Sequence, residues 1–289
     1  MIGGMRIRRA KAGDAAGSIA GTALLAVACG LVLVPLGFMF TASLMPAMDV
    51  MRMPYPWIPE TWKPSNYLQA LAGNDGNWMF LRNILNSVIV SSSIAISTVV
   101  LSSLVGYGLS KFRFKGRDAV FMAIMGTMMI PFETVMIPLY LIIVKAGMQN
   151  SYAGLIVPFL MNAFGVFIMR QYLITCPDES LDAARIDGCS EPRIFREIVF
   201  RNSGPAAATL AVLSFRQQWD NLLWPLLVAQ EEKMKTIPAY IVKFAAEKHS
   251  DEGAMMAVAA IASLPVFVLF FTLSKYFLGG SAVYQAGKE

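Results

Sequence analysis

The sequence predicts an all-α, polytopic membrane protein with six transmembrane helices and a cytoplasmic elbow of two short helices between the fourth and fifth of them. Hydrophobic residues make up 56% of the 289 residues and charged residues only 15%, whereas soluble domains have about 45–50% and about 25%. The mean hydropathy is +0.55, and several stretches long enough to span a membrane carry no charge. One charge-dense segment in the second half of the chain is the exception, and it predicts the elbow.

The gaps between charged residues locate the spans, because a spanning helix needs about 20 apolar residues. No charged residue lies between Asp14 and Asp49, Arg82 and Lys111, Lys145 and Arg170, or Glu252 and Lys275. Two further apolar stretches are interrupted, Val120–Val144 by Glu133 and Pro205–Ala229 by Arg216 and Asp220. Together these stretches predict helices at about 18–44, 84–110, 119–143, 152–174, 206–229 and 254–277.

The predicted domains are a cytoplasmic N-terminal segment (1–17), a transmembrane domain (18–277) and a cytoplasmic tail (278–289). The basic residues before the first span resemble the start of a signal peptide: Arg6, Arg8, Arg9 and Lys11. However, the apolar run that follows has about 27 residues, and the core of a signal peptide has only about 7–15. We therefore expect the first helix to be retained.

The distribution of Lys and Arg predicts that both termini lie in the cytoplasm. In that orientation 15 of the 24 basic residues fall in inner segments and 7 in outer ones, as the positive-inside rule expects. Because these residues lie beside apolar runs, the net charge of +5 indicates orientation in lipid rather than binding of nucleic acid. Three scattered cysteines do not form a disulfide framework, and a single histidine argues against a zinc site.

Residues 177–201, which we call the elbow, predict two helices joined at a glycine. Acidic residues after Pro177 are a helix-start signal, Gly188 is a stop signal, and Ser190 is a suitable N-cap for the second helix. The apolar face of that second helix contains Ile194, Phe195, Ile198 and Val199. Such an amphipathic segment could rest on the lipid surface. Its mixed charges and small residues favour contact with another protein instead.

Charged residues within a span are costly in lipid and are therefore candidates for function. Arg216 and Asp220 lie four residues apart on one helix face and could simply pair. Alternatively, both belong to a polar pathway for a solute, with Gln217, Trp219, Asn221 and Trp224 as further members. Sugars are bound by polar groups and flat aromatic faces, and this stretch contains both. Glu133 lies between two prolines and predicts either a helix break near the outer gate or a solute contact.

The elbow carries the first part of a family resemblance. "DAARIDG" followed by "IFREIVFRNSGPA" resembles the cytoplasmic loop of binding-protein-dependent ABC importer permeases. Asp182-Ala183-Ala184 and Gly188 stand where the family has Glu-Ala-Ala and its glycine, and Ile198 matches the family's isoleucine. Asp182 replaces Glu, and Phe200-Arg201 replaces the usual Leu-Pro pair.

Two other stretches extend the resemblance to the carbohydrate-type branch of the family. "MIPFETVMIPLYLIIVKAGMQNSYAGLIVPFL" (Met129–Leu160) is similar to the third and fourth spans of that branch. "FRQQWDNLLWPLLVA" (Phe215–Ala229) is similar to its Trp-Asn-(acid or Asn)-Phe-Leu-Trp-Pro-Leu pattern, with the order permuted to Trp219-Asp220-Asn221. The combination most resembles the second permease of maltose-type importers.

The resemblance implies a permease subunit of an ATP-driven sugar importer in the bacterial cytoplasmic (inner) membrane. It implies a second permease subunit (a heterodimer), a cytoplasmic ATPase dimer that binds ATP and Mg²⁺, and an extracytoplasmic solute-binding protein. The residues implied to dock on the ATPase are Asp182, Ala183, Ala184, Arg185, Gly188 and Glu191. We expect no cofactor on this chain, because it lacks a Gly-rich loop that ends in Gly-Lys-Ser/Thr.

Other functions fit the sequence less well. Among importers, the solute could be glycerol phosphate or another anion, although only Arg216 offers a clearly intramembrane positive charge. A self-sufficient carrier or channel could use Glu133, Arg216 and Asp220 as ion relays, but it would not need a docking elbow. A membrane enzyme would need clustered His, Cys or paired acids, and the sequence shows no such cluster.

Overall fold

The computed structural model describes residues 3–73, 76–246 and 251–286, and within them the chain is helical, without strands, as predicted. The α-helices are α1 (Gly3–Ala42), α2 (Ala47–Val50), α3 (Ser65–Ala72), α4 (Met79–Lys111), α5 (Arg117–Thr127), α6 (Phe132–Lys145), α7 (Tyr152–Ile156), α8 (Ala163–Ile174), α9 (Glu179–Ile186), α10 (Glu191–Ile194), α11 (Gly204–Trp219), α12 (Leu223–Val228), α13 (Ile237–Ala246) and α14 (Glu252–Ala286). Val157–Phe159 and Glu232–Met234 are 3₁₀ turns, and Phe195–Phe200 is π-helical.

Three of the described helices are long and apolar enough to cross a membrane without a break. These segments are Gly17–Ala42 in α1, Met79–Lys111 in α4 and Glu252–Thr272 in α14. They coincide with the first, second and sixth predicted spans. The side chains of residues 17–35 are all exposed, as expected of a helix that faces lipid or another chain.

The predicted spans 119–143 and 152–174 are each bent. α5 and α6 meet at an angle of 93°, because Pro131, which has no N–H to donate, stands just before α6. The second pair ends its first part at Phe159 and resumes in α8 at an angle of 45°. Asn162 starts this second part, since its side-chain oxygen accepts a backbone N–H from the first turn of α8 at 2.6 Å.

The predicted span 206–229 consists of two short helices rather than one. α11 ends at Trp219 and α12 begins at Leu223, and the Asn221 side chain accepts the backbone N–H of Trp224 at 3.4 Å. Neither helix is long enough to cross a membrane alone. The described residues therefore contain three candidate spans, or up to five if each bent pair is one span, and the count of six stays a prediction.

One compact unit of the chain consists of Met1–Ala70 and Lys248–Ile261. Its core contains Ala42, Met45 and Val50. The buried Asn66 side chain holds the turn after α1, because its amide nitrogen donates to the carbonyl oxygens of Ser43 at 3.0 Å and Met45 at 2.8 Å.

An ion pair fixes the start of α14 in the same unit. Lys63 Nζ lies 2.5 Å from Asp251 Oδ2, and Asp251 Oδ1 accepts the backbone N–H groups of Gly253 at 2.9 Å and Ala254 at 3.2 Å. Burial of the Asp251 carboxyl opposes its ionisation, but the Lys63 ammonium and the two N–H groups outweigh that effect and lower its pKa. The negative charge therefore remains at the positive end of the helix dipole.

The second compact unit consists of Leu71–Glu247 and Ala262–Glu289, and α4 is its central helix, packed against α8 and α11. Small residues allow α4 and α8 to approach closely. A Cβ atom at Gly106 would lie 2.9 Å from the Cβ of Met169, and one at Gly165 would lie 2.5 Å from Ser102 Oγ. Larger side chains at either glycine would push the two helices apart.

Polar residues at the N-terminal end of α4, the exposed Arg82 and the buried Asn86 and Ser87, hold the segment that leads into α13. Arg82 Nε and Asn86 Nδ2 donate to the carbonyl oxygen of Lys233 at 2.9 and 3.0 Å. Ser87 Oγ accepts the backbone N–H of Ile237 at 2.8 Å. These contacts explain why an apolar helix carries asparagine and serine in its buried face.

Candidate functional site

The elbow folds as two helices separated by a left-handed glycine. α9 ends at Ile186, and Gly188 follows with φ of +79°, a conformation that a residue with a Cβ rarely adopts. α10 starts after Ser190, whose carbonyl oxygen accepts the N–H of Ile194 at 3.0 Å. Ser190 occupies the predicted N-cap position, but its hydroxyl makes no hydrogen bond to the first turn of the helix.

An apolar cluster attaches the elbow to the rest of the second unit. The buried members of this cluster are Tyr107, Leu173, Leu181, Ala184, Ile194 and Val199. Phe195 and Ile198, predicted on the same face as Ile194 and Val199, pack against it and are partly buried. The apolar face of the elbow is thus covered by α4 and α8 of the same chain.

Glu191 lies at the centre of a polar contact between the elbow and α4. Its carboxylate accepts the Tyr107 hydroxyl at 2.6 Å and Arg185 Nε at 2.8 Å. These two hydrogen bonds, the one from Arg185 being the stronger effect, lower the pKa of Glu191. The same contact raises the pKa of Arg185, whose Nη1 donates to Asp182 at 2.9 Å. The sequence predicted these three elbow residues as docking residues but did not indicate Tyr107 as their partner.

A second polar contact joins the start of the elbow to the C-terminal end of α4. Lys111 Nζ donates to Asp178 Oδ1 and to the Cys176 carbonyl oxygen, both at 2.6 Å. The Lys111 side chain is only 5% exposed, so its charge is used within the chain. Its hydrogen bond and charge lower the pKa of the Asp178 carboxyl.

The elbow also has an exposed tip, which we define as residues 182, 183, 186, 187 and 188. All five are exposed, and Ile186 is 86% exposed. Ala184, in contrast, is buried within the chain, so its methyl group stabilises the elbow internally and is not part of the tip. The sequence missed Ile186, although an isoleucine beside Asp187 and Gly188 is an unusual choice for a solvated turn.

In the stretch 215–224, the two charged residues pair with each other. Arg216 Nε lies 3.4 Å from Asp220 Oδ2, and both side chains are largely exposed. The neighbouring Gln217 is exposed too, and Asn221 Nδ2 donates to Gln218 at 3.1 Å. Exposed polar side chains therefore lie at the break between α11 and α12, namely Arg216, Gln217 and Asp220.

The two tryptophans of this stretch lie inside the protein instead. Trp219 is 4% and Trp224 is 1% exposed, and their indole N–H groups donate to the carbonyl oxygens of Ala262 at 3.1 Å and Gly154 at 3.0 Å. Neither ring offers a free face to a solute. This corrects the expectation from sequence, because the break places the polar side chains outward and leaves the aromatic ones against other helices.

Glu133 is exposed in the first turn of α6, two residues after Pro131. The adjacent Phe132 ring lies 6.0 Å from the Trp224 ring, so the start of α6 packs beside α12. The bend that the sequence predicted near Glu133 is present, and it lies just before this residue.

Comparison with known proteins identifies the family. Residues 98–279 match the family described as "Binding-protein-dependent transport system inner membrane component", over more than half of the chain. The chain belongs to this family. It is a permease of a binding-protein-dependent importer, as the resemblance of the elbow and of the later stretches implied.

Curated relatives cover nearly the whole permease. The arabinooligosaccharides transport system permease protein AraQ of Halalkalibacterium halodurans is 33% identical over 251 residues, 86% of this chain and 89% of that protein. AraQ of Bacillus subtilis is 31% identical, covering 88% and 90%. The sn-glycerol-3-phosphate transport system permease protein UgpE of Rhizobium meliloti is also 31% identical, covering 91% and 95%.

Solved structures share the fold of the permease. A chain of a bacterial ABC transporter involved in the import of the acidic polysaccharide alginate matches with a TM-score of 0.79 and 22% identity, covering 92% of this permease and 98% of that chain. A chain of the MetNI methionine ABC transporter matches with a TM-score of 0.54 and 14% identity, covering 72% and 98%. At these identities the likeness supports the fold alone.

Proposed function

We propose that this permease carries a sugar, such as an oligosaccharide, across the bacterial cytoplasmic (inner) membrane as one subunit of an ATP-driven importer. The observation that carries the proposal is the 33% identity to AraQ over 86% of the chain, because AraQ is named for the transport of arabinooligosaccharides. The exposed polar surface at the break in residues 215–224 adds a place where sugar hydroxyls could be bound.

The proposed assembly has four kinds of component. This permease pairs with a second permease, an ATPase dimer binds in the cytoplasm, and a solute-binding protein delivers the sugar from outside. ATP and Mg²⁺ bind only in the ATPase, and this chain binds no cofactor. The permease crosses the membrane six times with both termini in the cytoplasm, an orientation that its distribution of Lys and Arg supports.

The tip of the elbow is the proposed ATPase contact. Asp182 supplies an exposed carboxylate, Ala183 and Gly188 permit close approach, and Ile186 adds an apolar side chain for a partner pocket. Arg185 and Glu191 support this contact from behind, because they bind each other at 2.8 Å. When the ATPase halves close on ATP, the elbow moves with them and rocks the attached helices.

Gly188→Trp and Asp182→Arg test this docking. Both lie at exposed positions, and we expect transport and stimulation of ATP hydrolysis to be lost in both. Gly188→Trp also strains the turn, because Gly188 has φ of +79°, so Asp182→Arg is the variant in which folding should be retained. Glu197→Arg is the matched control, because it reverses an exposed charge on the π-helical part of the elbow, away from the tip. Full transport and stimulation in both tip variants would show that the ATPase does not dock there.

A second candidate solute is an anion such as glycerol phosphate, because UgpE is 31% identical to this chain. The structure favours a neutral sugar, since the charge of Arg216 is balanced by Asp220 at 3.4 Å. Uptake of labelled arabinooligosaccharides and of sn-glycerol 3-phosphate by cells that express the whole importer discriminates between the two solutes.

We expect uptake of the oligosaccharide. An inactive ATPase should abolish this uptake, whereas collapse of the ion gradient should not. Gradient-dependent uptake would indicate a secondary carrier.

A further inference from the structure

We propose that residues 111–118, which comprise the loop between α4 and α5 and the adjoining helix ends, bind the phosphate headgroup of an anionic phospholipid in the inner leaflet. The loop has the sequence Lys-Phe-Arg-Phe-Lys-Gly-Arg-Asp, in which basic and aromatic residues alternate over its first five positions. We call it the basic loop. The proposal rests on the cytoplasmic placement of this loop in the proposed function, and it adds a site that transport itself does not require.

A cavity of about 350 Å³ is formed by this one loop and the start of α5. Its lining residues are Arg113, Phe114, Gly116, Arg117, Asp118 and Ala119. The volume is at the lower end of the range for small-molecule sites, about 300–1,000 Å³. It is therefore large enough for a glycerophosphate headgroup and too small for a whole lipid.

The charges around the cavity favour a phosphate. Asp118 is the acidic residue of the lining, and two guanidinium groups share its carboxylate, Arg117 at 3.4 Å and Arg170 at 3.3 Å. Among the residues that the structure describes, Arg113 and Lys115 form no ion pair. The lining thus carries excess positive charge that this chain does not neutralise.

The other basic residues near the loop are already used within the chain. Lys111 is buried against Asp178, and the Arg170 guanidinium lies 4.0 Å from the centre of the Phe121 ring. Lys111 and Arg170 thus hold helices together. Arg113 and Lys115, in contrast, are exposed. An exposed arginine is suited to binding a phosphate, because its planar guanidinium can bind two phosphate oxygens at once.

The surroundings of the cavity favour a lipid over a free phosphate. Phe114 in the loop is 48% exposed, and α5, which begins at the cavity, has no buried residue. Val120 is 47% and Met122 is 73% exposed along this helix. A headgroup in the cavity would therefore have an uncovered apolar helix beside it for its acyl chains. Basic sites of this kind next to membrane helices are typical of anionic-lipid recognition.

Native mass spectrometry of the purified, delipidated full-length permease tests the site. We expect dioleoylphosphatidylglycerol to bind about tenfold more tightly than dioleoylphosphatidylcholine, which has the same acyl chains. The double variant Arg113→Gln/Arg117→Gln should lose this preference. Arg113→Gln alone changes an exposed side chain and should reduce the preference about fivefold, which keeps the test possible if the double variant does not fold.

Arg193→Gln/Arg201→Gln is the matched control, because it removes two exposed arginines on the same predicted side of the membrane. It should keep the preference for phosphatidylglycerol. Equal binding of both lipids by the unmodified chain, or an unchanged preference in Arg113→Gln, would overturn the proposal. So would displacement of the lipid by inorganic phosphate but not by sulfate at equal ionic strength, which would assign the cavity to free phosphate. Sugar uptake by the importer in phosphatidylcholine liposomes tests the proposed function separately.

Discussion

Two acidic residues of the elbow, Asp178 and Glu191, bind partners on α4, whereas the charged residues of the stretch 215–224 pair with each other. Glu191 accepts hydrogen bonds from Tyr107 of α4 and from Arg185 at 2.6 and 2.8 Å. Arg216 and Asp220 form a longer contact of 3.4 Å within one helical turn, and both remain exposed. The two tryptophans of the stretch are buried, and their indole N–H groups donate to carbonyl oxygens of distant segments.

This difference indicates how each region is held in place. An ion pair and hydrogen bonds fix the elbow to α4, the central helix of the second unit. Buried tryptophans fix the stretch 215–224, and its charged side chains remain exposed. Polar contacts with another helix hold the elbow, whereas buried aromatic rings hold the stretch 215–224. Removing one contact of each kind tests this difference.

The largest effect is expected from Trp224→Ala. The ring is 1% exposed and packs against Phe132 and Phe159, and its loss leaves a cavity and an unpaired Gly154 carbonyl group. We expect the free energy of unfolding to fall by about 3–5 kcal/mol, measured as a lower thermal midpoint of the purified permease. Leu226→Ala, at a neighbouring exposed side chain, is the control and should change stability little. Unchanged stability with lost uptake would instead make the Trp224 ring a solute contact.

An intermediate effect is expected from Glu191→Gln, and it should depend on pH. Since Glu191 is partly exposed, loss of its charged hydrogen bonds should cost about 1 kcal/mol at pH 7. Its pKa is lower in the folded chain than the usual value of 4.5, so the stabilisation is present above that value and disappears as the pH falls through the folded pKa.

Thermal unfolding at several pH values between neutral and acidic checks this prediction. The difference between the unmodified chain and Glu191→Gln should shrink in acid, because both then carry a neutral group at this position. Glu197→Gln is the control, since the ion pair of Glu197 is with the adjacent exposed Arg196, and it should show a smaller difference at every pH. A difference for Glu191→Gln that grows in acid would contradict the assigned contact.

The smallest effect on stability is expected from Arg216→Gln. An exposed pair four residues apart on a helix contributes only about 0.3–0.5 kcal/mol, so the thermal midpoint should hardly move. We expect sugar uptake to fall much more than stability, because the variant changes the proposed solute surface. Arg52→Gln, which breaks another exposed pair with Glu60, should have the same small effect on stability and leave uptake intact. Equal uptake in both variants would show that Arg216 does not face the solute.

Much of the elbow was predictable because its signals are local. Its start after Pro177, its stop at Gly188 and the apolar face that includes Ile194 depend on residues within one or two helical turns. The partners of that face were not predictable. Tyr107 and Lys111 precede the elbow by more than sixty residues, and no local pattern shows that their side chains reach it.

In the stretch 215–224, the ion pair was predictable from the sequence but the placement of the tryptophan rings was not. Its composition correctly indicated the pair of Arg216 and Asp220, which follows from helical spacing alone. The same composition predicted aromatic faces for a sugar, because exposed tryptophan rings beside polar residues are typical of sugar-binding sites. The side on which each ring lies depends on where α11 breaks and on which distant carbonyl groups accept its N–H, and the structure places both rings inside.

The sequence by itself determined the all-α class, the positions of the apolar segments, the elbow and the membership of the permease family, because hydropathy, spacing and short motifs are properties of neighbouring residues. Only the tertiary structure decided that the predicted span 152–174 is bent, that span 206–229 is two helices, and that Glu191 is bound from α4. These features depend on contacts between segments far apart in the chain. The side of a helix that such a contact covers is set by the fold as a whole.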